Sequence, residues 1–168
     1  MASGDVVVSI LEDMPPATSY ATMDTRAGGS TPAESLSVYD FDASTDEYMD
    51  FKALLSGYDG GGLTFHIAWA ATSATSGVTR WGIAIRRFQD DAEDVDTAQT
   101  YDFNESDCTA ASASGEIVYD TITFTNGADM DSWADGEFGI VRVYRNADHA
   151  NDTMTGDAEL VALWATET

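Results

Sequence analysis

Two histidines, one cysteine and one acidic run are the residues of this sequence whose types and spacing could do chemistry. His66 alternates with Phe65 and Ile67 on the more polar side of the 62–70 stretch, and it reads as a satisfied surface position. His149 lies in Asn146-Ala147-Asp148-His149-Ala150-Asn151-Asp152, a loop composition. No two histidines stand at metal spacing, and Cys108 alone can build neither a zinc site nor an intrachain disulfide. The run 90–96 gathers Asp90, Asp91, Glu93, Asp94 and Asp96, hard oxygen donors of the kind Ca²⁺ takes. It lacks the spacing and closing Glu of an EF-hand. A solvated acidic loop is therefore the reading, with a cation site as the alternative.

Other motifs fall away on inspection. Tyr58-Asp59-Gly60-Gly61-Gly62 has no lysine after it and precedes an alternating run, so it reads as a tight connection, not a phosphate loop. No Gly-x-Ser-x-Gly elbow is present. Paired carboxylates are uninformative in so acidic a chain. Asn104-Glu105-Ser106 and Asn151-Asp152-Thr153 match the glycosylation pattern, as chance allows in this composition. No catalytic residue and no cofactor is expected. Arg142 and Arg145 occupy opposite faces of one alternating stretch, so one guanidinium is expected to face inward or toward a neighbour, paired with a carboxylate such as Asp148 or Asp157, with two ordinary surface ion pairs as the other reading. Arg86 and Arg87 divide in the same way.

The elements that must position these groups are strands. Leu63, Phe65, Ile67 and Trp69 share one face, and Trp81, Ile83 and Ile85 repeat the pattern after the polar loop 71–77. Further strands are expected at 6–11, 21–26, 36–41, 48–55, 117–124, 137–145 and 158–165. Only 128–134 looks helical, for one or two turns. Eight or nine strands without crossover helices predict an all-β antiparallel sandwich, preferably a jelly roll, with an immunoglobulin-like sandwich as runner-up. The whole chain, 1–168, reads as one domain. Within 12–33, a possible contact arm, the stretches 12–20 and 27–33 fit the strand pattern poorly. Met14, Pro15, Pro16 and Tyr20 mark either a surface loop or a contact arm toward a neighbouring subunit.

Composition sets the outer limits. Thirty acidic residues face seven basic ones, for a formal net charge of -23, and Lys52 is the single lysine. Short, hydrated carboxylates with almost no lysine suit a protein of concentrated salt, where screening removes self-repulsion. An acidic surface in dilute medium is the other reading. Arg80, Arg86 and Arg87 are too few to hold a phosphate backbone, so no nucleic-acid partner is expected. The apolar runs are far shorter than a membrane span, and the start 1–5 has no leader-like pattern. Synthesis in a host cytoplasm is expected.

Five stretches carry a resemblance: Asp24-Thr25-Arg26, DFDASTDE at 40–47, GGGLTFHIAWAATSATSG at 60–77, TFTNGADMDSWADGE at 123–137 and VRVYRNADHANDTMTGDAEL at 141–160. The chain resembles small virion proteins of tailed phages and their archaeal relatives. The run Trp-Ala-Ala-Thr-Ser-Ala-Thr-Ser-Gly is the most specific part. The acidic loop and the extra length at 31–36 depart from the pattern. The resemblance implies a jelly-roll module without enzymatic activity.

The reading that follows is a non-enzymatic decoration or cement protein on the capsid exterior of a halophilic tailed virus. Its expected partners are the major capsid protein and its own copies, in a homotrimer or similar ring. The alternative is a carbohydrate-binding or adhesion module of a tail spike, head fibre or other surface protein. Such a module exposes aromatic platforms, with Trp133 or Trp164 as candidates. A glycosidase with an acidic cleft has no positive support.

Overall fold

Alternation of apolar and polar side chains does its work over most of this chain. The structure, a computed structural model, describes residues 4–168. The start 1–3, part of the stretch read for a leader, lies outside the described residues. Ten strands form: β1 (Val6–Met14), β2 (Thr22–Ala27), β3 (Ser35–Phe41), β4 (Glu47–Leu55), β5 (Leu63–Ala71), β6 (Val78–Arg87), β7 (Asn104–Thr109), β8 (Val118–Phe124), β9 (Phe138–Arg145) and β10 (Ala158–Glu167). Every strand pair is antiparallel.

Two five-stranded sheets follow from the pairing. One runs β2-β3-β10-β5-β8, the other β1-β4-β9-β6-β7. Strands β3 to β10 have the jelly-roll order, and β2 and β1 add an edge strand to each sheet. A bulge in β10 between Leu160 and Ala162 lets that strand pair with β3 first and with β1 near its end. Between the sheets lies one cluster that includes Phe65, Ile67, Trp69, Trp81, Ile83 and Val143. The inward residues of β5 and β6 are those the alternation predicts.

Some expectations about the elements need correction. The strand β7 was not foreseen, because Asn-Glu-Ser-Asp-Cys-Thr carries one apolar side chain, Cys108, which is buried. The helical stretch at 128–134 is a single 3-10 turn, Ala128–Met130, closed by Asp131 with a left-handed backbone. Part of the stretch read as a surface loop or contact arm is tied into the sheets. Glu12 to Met14 belong to β1, and Ser19 and Ala21 are tied to β4: Tyr48 N donates to Ser19 O at 2.8 Å and Ala21 N to Tyr48 O at 3.0 Å. Within it Met14 and Pro16 are half-buried, while Pro15 and Tyr20 are exposed.

Arg145 is the inward guanidinium, and its partner is Asp152, not Asp148 or Asp157. Nε and Nη2 donate to the two Asp152 oxygens at 2.9 and 2.8 Å. Nη2 also reaches Met154 O at 2.8 Å, while Nη1 reaches Gly156 O at 2.8 Å and Phe41 O at 3.3 Å. All five donors are used, which is what a buried guanidinium requires. Arg142 faces outward and clasps Asp50 with two bonds of 2.6 and 2.7 Å.

Candidate functional site

The outer faces of the two sheets differ in chemistry. On the β1-β4-β9-β6-β7 sheet, the connection 88–103 folds back over the strands. Tyr101 lies 3.9 Å from the Arg142 guanidinium, and Phe103 packs at 4.3 Å on Tyr144. Tyr144 stacks on Tyr48 at 5.3 Å and lies flat over Gly82, where a Cβ would meet its ring at 2.0 Å. Its hydroxyl bonds Glu105. This face is occupied by the protein's own side chains.

The acidic run belongs to that connection. Its carboxylates do not converge. Glu93 accepts from Gln89 N at 2.6 Å and faces Arg87 at 3.6 Å, and Asp94 Oδ1 accepts from Asp96 N at 2.9 Å. Arg86 donates to the carbonyls of Asp94 at 2.9 Å and Thr97 at 3.4 Å. Asp90 and Asp91 are exposed beside them. Among the described residues no group of three or more His, Cys, Asp or Glu side chains is placed to hold a metal ion.

The opposite outer face carries rings, of which Tyr119 is exposed and His66 and Trp164 are half-buried. Register places Trp164 of β10 beside His66 of β5 and Thr121 of β8. The next row is Ala162, Ala68 and Tyr119, and the row on the other side is Thr166, Thr64 and Thr123. The His66 ring stacks on the Trp164 indole at 5.0 Å with planes 5° apart. Tyr119 meets the indole edge-on at 6.3 Å, across the small Ala68. Tyr119 is 70% exposed. Neither the Trp164 indole N–H nor the Tyr119 hydroxyl bonds any described residue. Three rows on three strands make nine outward positions, and none bears a formal charge.

His66 is held by this setting. Its Nε2 lies 3.0 Å from Thr166 Oγ1. Burial lowers its pKa, because the imidazolium is the form that loses hydration. It is therefore neutral at pH 7. Beside the array, the gap between β1 and β3 leaves an apolar slot of about 240 Å³ lined by Ile10, Tyr39, Phe51 and Leu163.

The remaining sequence candidates are structural. Trp133 is 1% exposed and donates its indole N–H to Glu137 O at 3.0 Å, so it is no platform. The reason is local: the turn that begins at Gly127 folds it against Gly139. The glycine-rich run offers the N–H groups of Asp59, Gly60 and Gly61, at 2.9–3.0 Å, to one oxygen of Glu167. The anion in that cradle is the chain's own. Cys108 is buried, and burial followed by the nearby Asp120 raises its pKa, so the thiol stays protonated. The Asn104 amide donates to Thr123 O and to Asp129, whereas Asn151 is exposed.

No family model matches the chain, and no curated protein does. Among solved structures, a carbohydrate-binding module, TmCBM61, in complex with β-1,4-galactotriose, is similar at 9% identity. The match covers 94% of this chain and 88% of that one, with a TM-score of 0.40. A likeness of that strength carries no argument, and the jelly-roll order rests on the strand pairing above.

Sequence reasoning named Trp164 but missed Tyr119 and the part His66 plays. Each lies in an alternating strand on the outward side, and that much was readable. What brings them together is the register of β8 and β10 on β5.

Proposed function

We propose that this domain is a non-catalytic recognition module that takes carbohydrate on the outer face of β10, β5 and β8. The stacked Trp164 and His66 pair, with Tyr119 edge-on, is the observation that carries the reading. Aromatic carbon offers a flat apolar surface, and the unspent indole N–H and phenol hydroxyl offer directional bonds beside it. Rigid rings on strands lose little entropy when a ligand docks. The groups of this face contact and orient a ligand.

The test is retention on immobilised polysaccharides. Wild-type protein is expected to be retarded by at least one of them. Trp164→Ala is expected to weaken that retention at least about tenfold, or about 1.4 kcal/mol. Its circular dichroism should be unchanged. Equal retention by the variant would sink the site.

A second reading keeps the domain on the outside of a tailed-virus particle, bound to the major capsid protein as a homotrimer. Exposed Val6, Leu11, Met23 and Leu36 on β1, β2 and β3 favour it, since they offer apolar contact area in an acidic surface. Tyr20 adds to that area. Imaging of intact particles tests it: hundreds of copies over the shell support decoration, and a few copies at a vertex or tail support adhesion.

A further inference from the structure

The charge pattern of the ring-bearing face narrows its ligand, and the narrowing rests on the carbohydrate reading above. We infer that the face is built for an uncharged glycan, made of neutral hexoses or N-acetylhexosamines and free of uronate, sialate and sulfate groups. In a chain with 37 formally charged residues among 168, the nine outward positions around Trp164 hold none. They hold aromatic rings, alanines, threonine hydroxyls and a histidine kept neutral.

An anionic sugar needs a guanidinium or ammonium within reach. The strands of this face supply none. On the same sheet, Arg26 of β2 donates its Nε to Glu159 and its Nη2 to Ala71 O and Thr72 O, each at 3.2 Å. Arg80 of β6 lines a cleft with Thr121 and Thr123 and is paired with Glu105 and Asp107. Both charges are spent before a ligand arrives. A polyanion would also approach a protein of net charge -23. Neutral sugar hydroxyls need only short donors and acceptors, and the threonines of β5, β8 and β10 supply those in rows. With strands about 4.8 Å apart and same-face residues about 6.6 Å apart, the array spans about 10 by 13 Å, the footprint of a short oligosaccharide.

Tryptophan fluorescence reads the site directly. Trp69, Trp81 and Trp133 are buried, so acrylamide quenching reports chiefly on Trp164. The probes are soluble β-glucan, galactan, mannan and chitooligosaccharide on one side, and polygalacturonate and alginate on the other. Each is measured by affinity electrophoresis and by quenching, at about 0.1 M and at about 1 M salt or above, where the Debye length shrinks to about 3 Å. At least one neutral glycan is expected to retard the protein and to shield Trp164 at both salts. The polyuronates are expected to do neither, even when screening removes long-range repulsion.

Polyuronate binding in high salt that disappears in Trp164→Ala would overturn the neutral-ligand inference and leave the carbohydrate site standing. Failure of every glycan, neutral and anionic, would overturn both. Tyr119→Ala serves as the second variant, since an exposed side chain leaves folding intact. Neutral-glycan retention weakened several-fold in it supports the array, and unchanged retention counts against it.

Discussion

Arg145 shows how one residue fixes a whole end of the sandwich. Its side chain is fully buried, and so is the carboxylate of Asp152. Its bonds reach Phe41 at the end of β3 and Met154 and Gly156 in the connection to β10. The ion pair itself is no guarantee of net stability, since both charges were stripped of water. Breaking it from one side is another matter. Arg145→Ala leaves Asp152 as an uncompensated buried charge and frees three carbonyls, at an expected cost of about 3–5 kcal/mol. Denaturant unfolding in high salt measures this. Lysine at the same position is expected to rescue little, because a point charge cannot reproduce a fork of five donors. A loss below about 0.5 kcal/mol, the size of an ordinary surface change, would mean that the connection is held by other contacts.

At the scale of elements, the junction of β2, β3 and β10 concentrates like charge. Asp40 of β3 accepts from Thr72 Oγ1 at 3.2 Å and lies near Asp157, Glu159 and Asp24. Burial first, then those carboxylates, raises its pKa from near 4 to about 6. The folded state therefore holds a proton that the unfolded chain has already released between those values. Stability from this group is full below about pH 4 and is lost as pH rises through about 6. Asp40→Asn is thus expected to be more stable than wild type at pH 7, by up to about 1 kcal/mol after solvent screening, with the advantage gone below about pH 4. Parallel melting curves across that window check it, and a pH-independent difference would count against the charge argument. Elements were legible where alternation is strong, as in β5 and β6, whose inward Trp69 and Trp81 are fully buried. The strand β7 was not, since its sequence reads as a polar loop and only pairing with β6 makes it a strand. Trp133, in the acidic run Asp131-Ser132-Trp133-Ala134-Asp135, reads as an exposed platform, and a tight turn buries it. The site was half legible. Outward rings can be read from parity, but register decides whether Tyr119 and Trp164 meet over Ala68 or lie apart.

For the molecule as a whole, the decisive quantity is how little positive charge is left over. Arg26 pairs with Glu159, Lys52 with Glu12, Arg80 with Glu105 and Asp107, Arg87 with Glu93, Arg142 with Asp50 and Arg145 with Asp152. Arg86 spends its charge on two carbonyls and on the face of Phe88, 4.5 Å away. Among the described residues these ion pairs engage Glu12, Asp50, Glu93, Glu105, Asp107, Asp152 and Glu159, far fewer than the thirty acidic residues of the chain, so negative charge predominates. Repulsion of this kind weakens the compact state in dilute buffer and fades as the Debye length drops from about 10 Å at 0.1 M to about 3 Å at 1 M. The melting temperature is expected to climb with NaCl or KCl over that range and to level off beyond it. Buried pairs such as Arg145 and Asp152 are screened least, so the Arg145→Ala loss should persist in high salt while the Asp40→Asn gain shrinks. Neutral-glycan binding should change little, because its face carries no formal charge for salt to screen. A melting temperature indifferent to salt would remove the argument that this surface is adapted to brine, and would leave its acidity without a physical role.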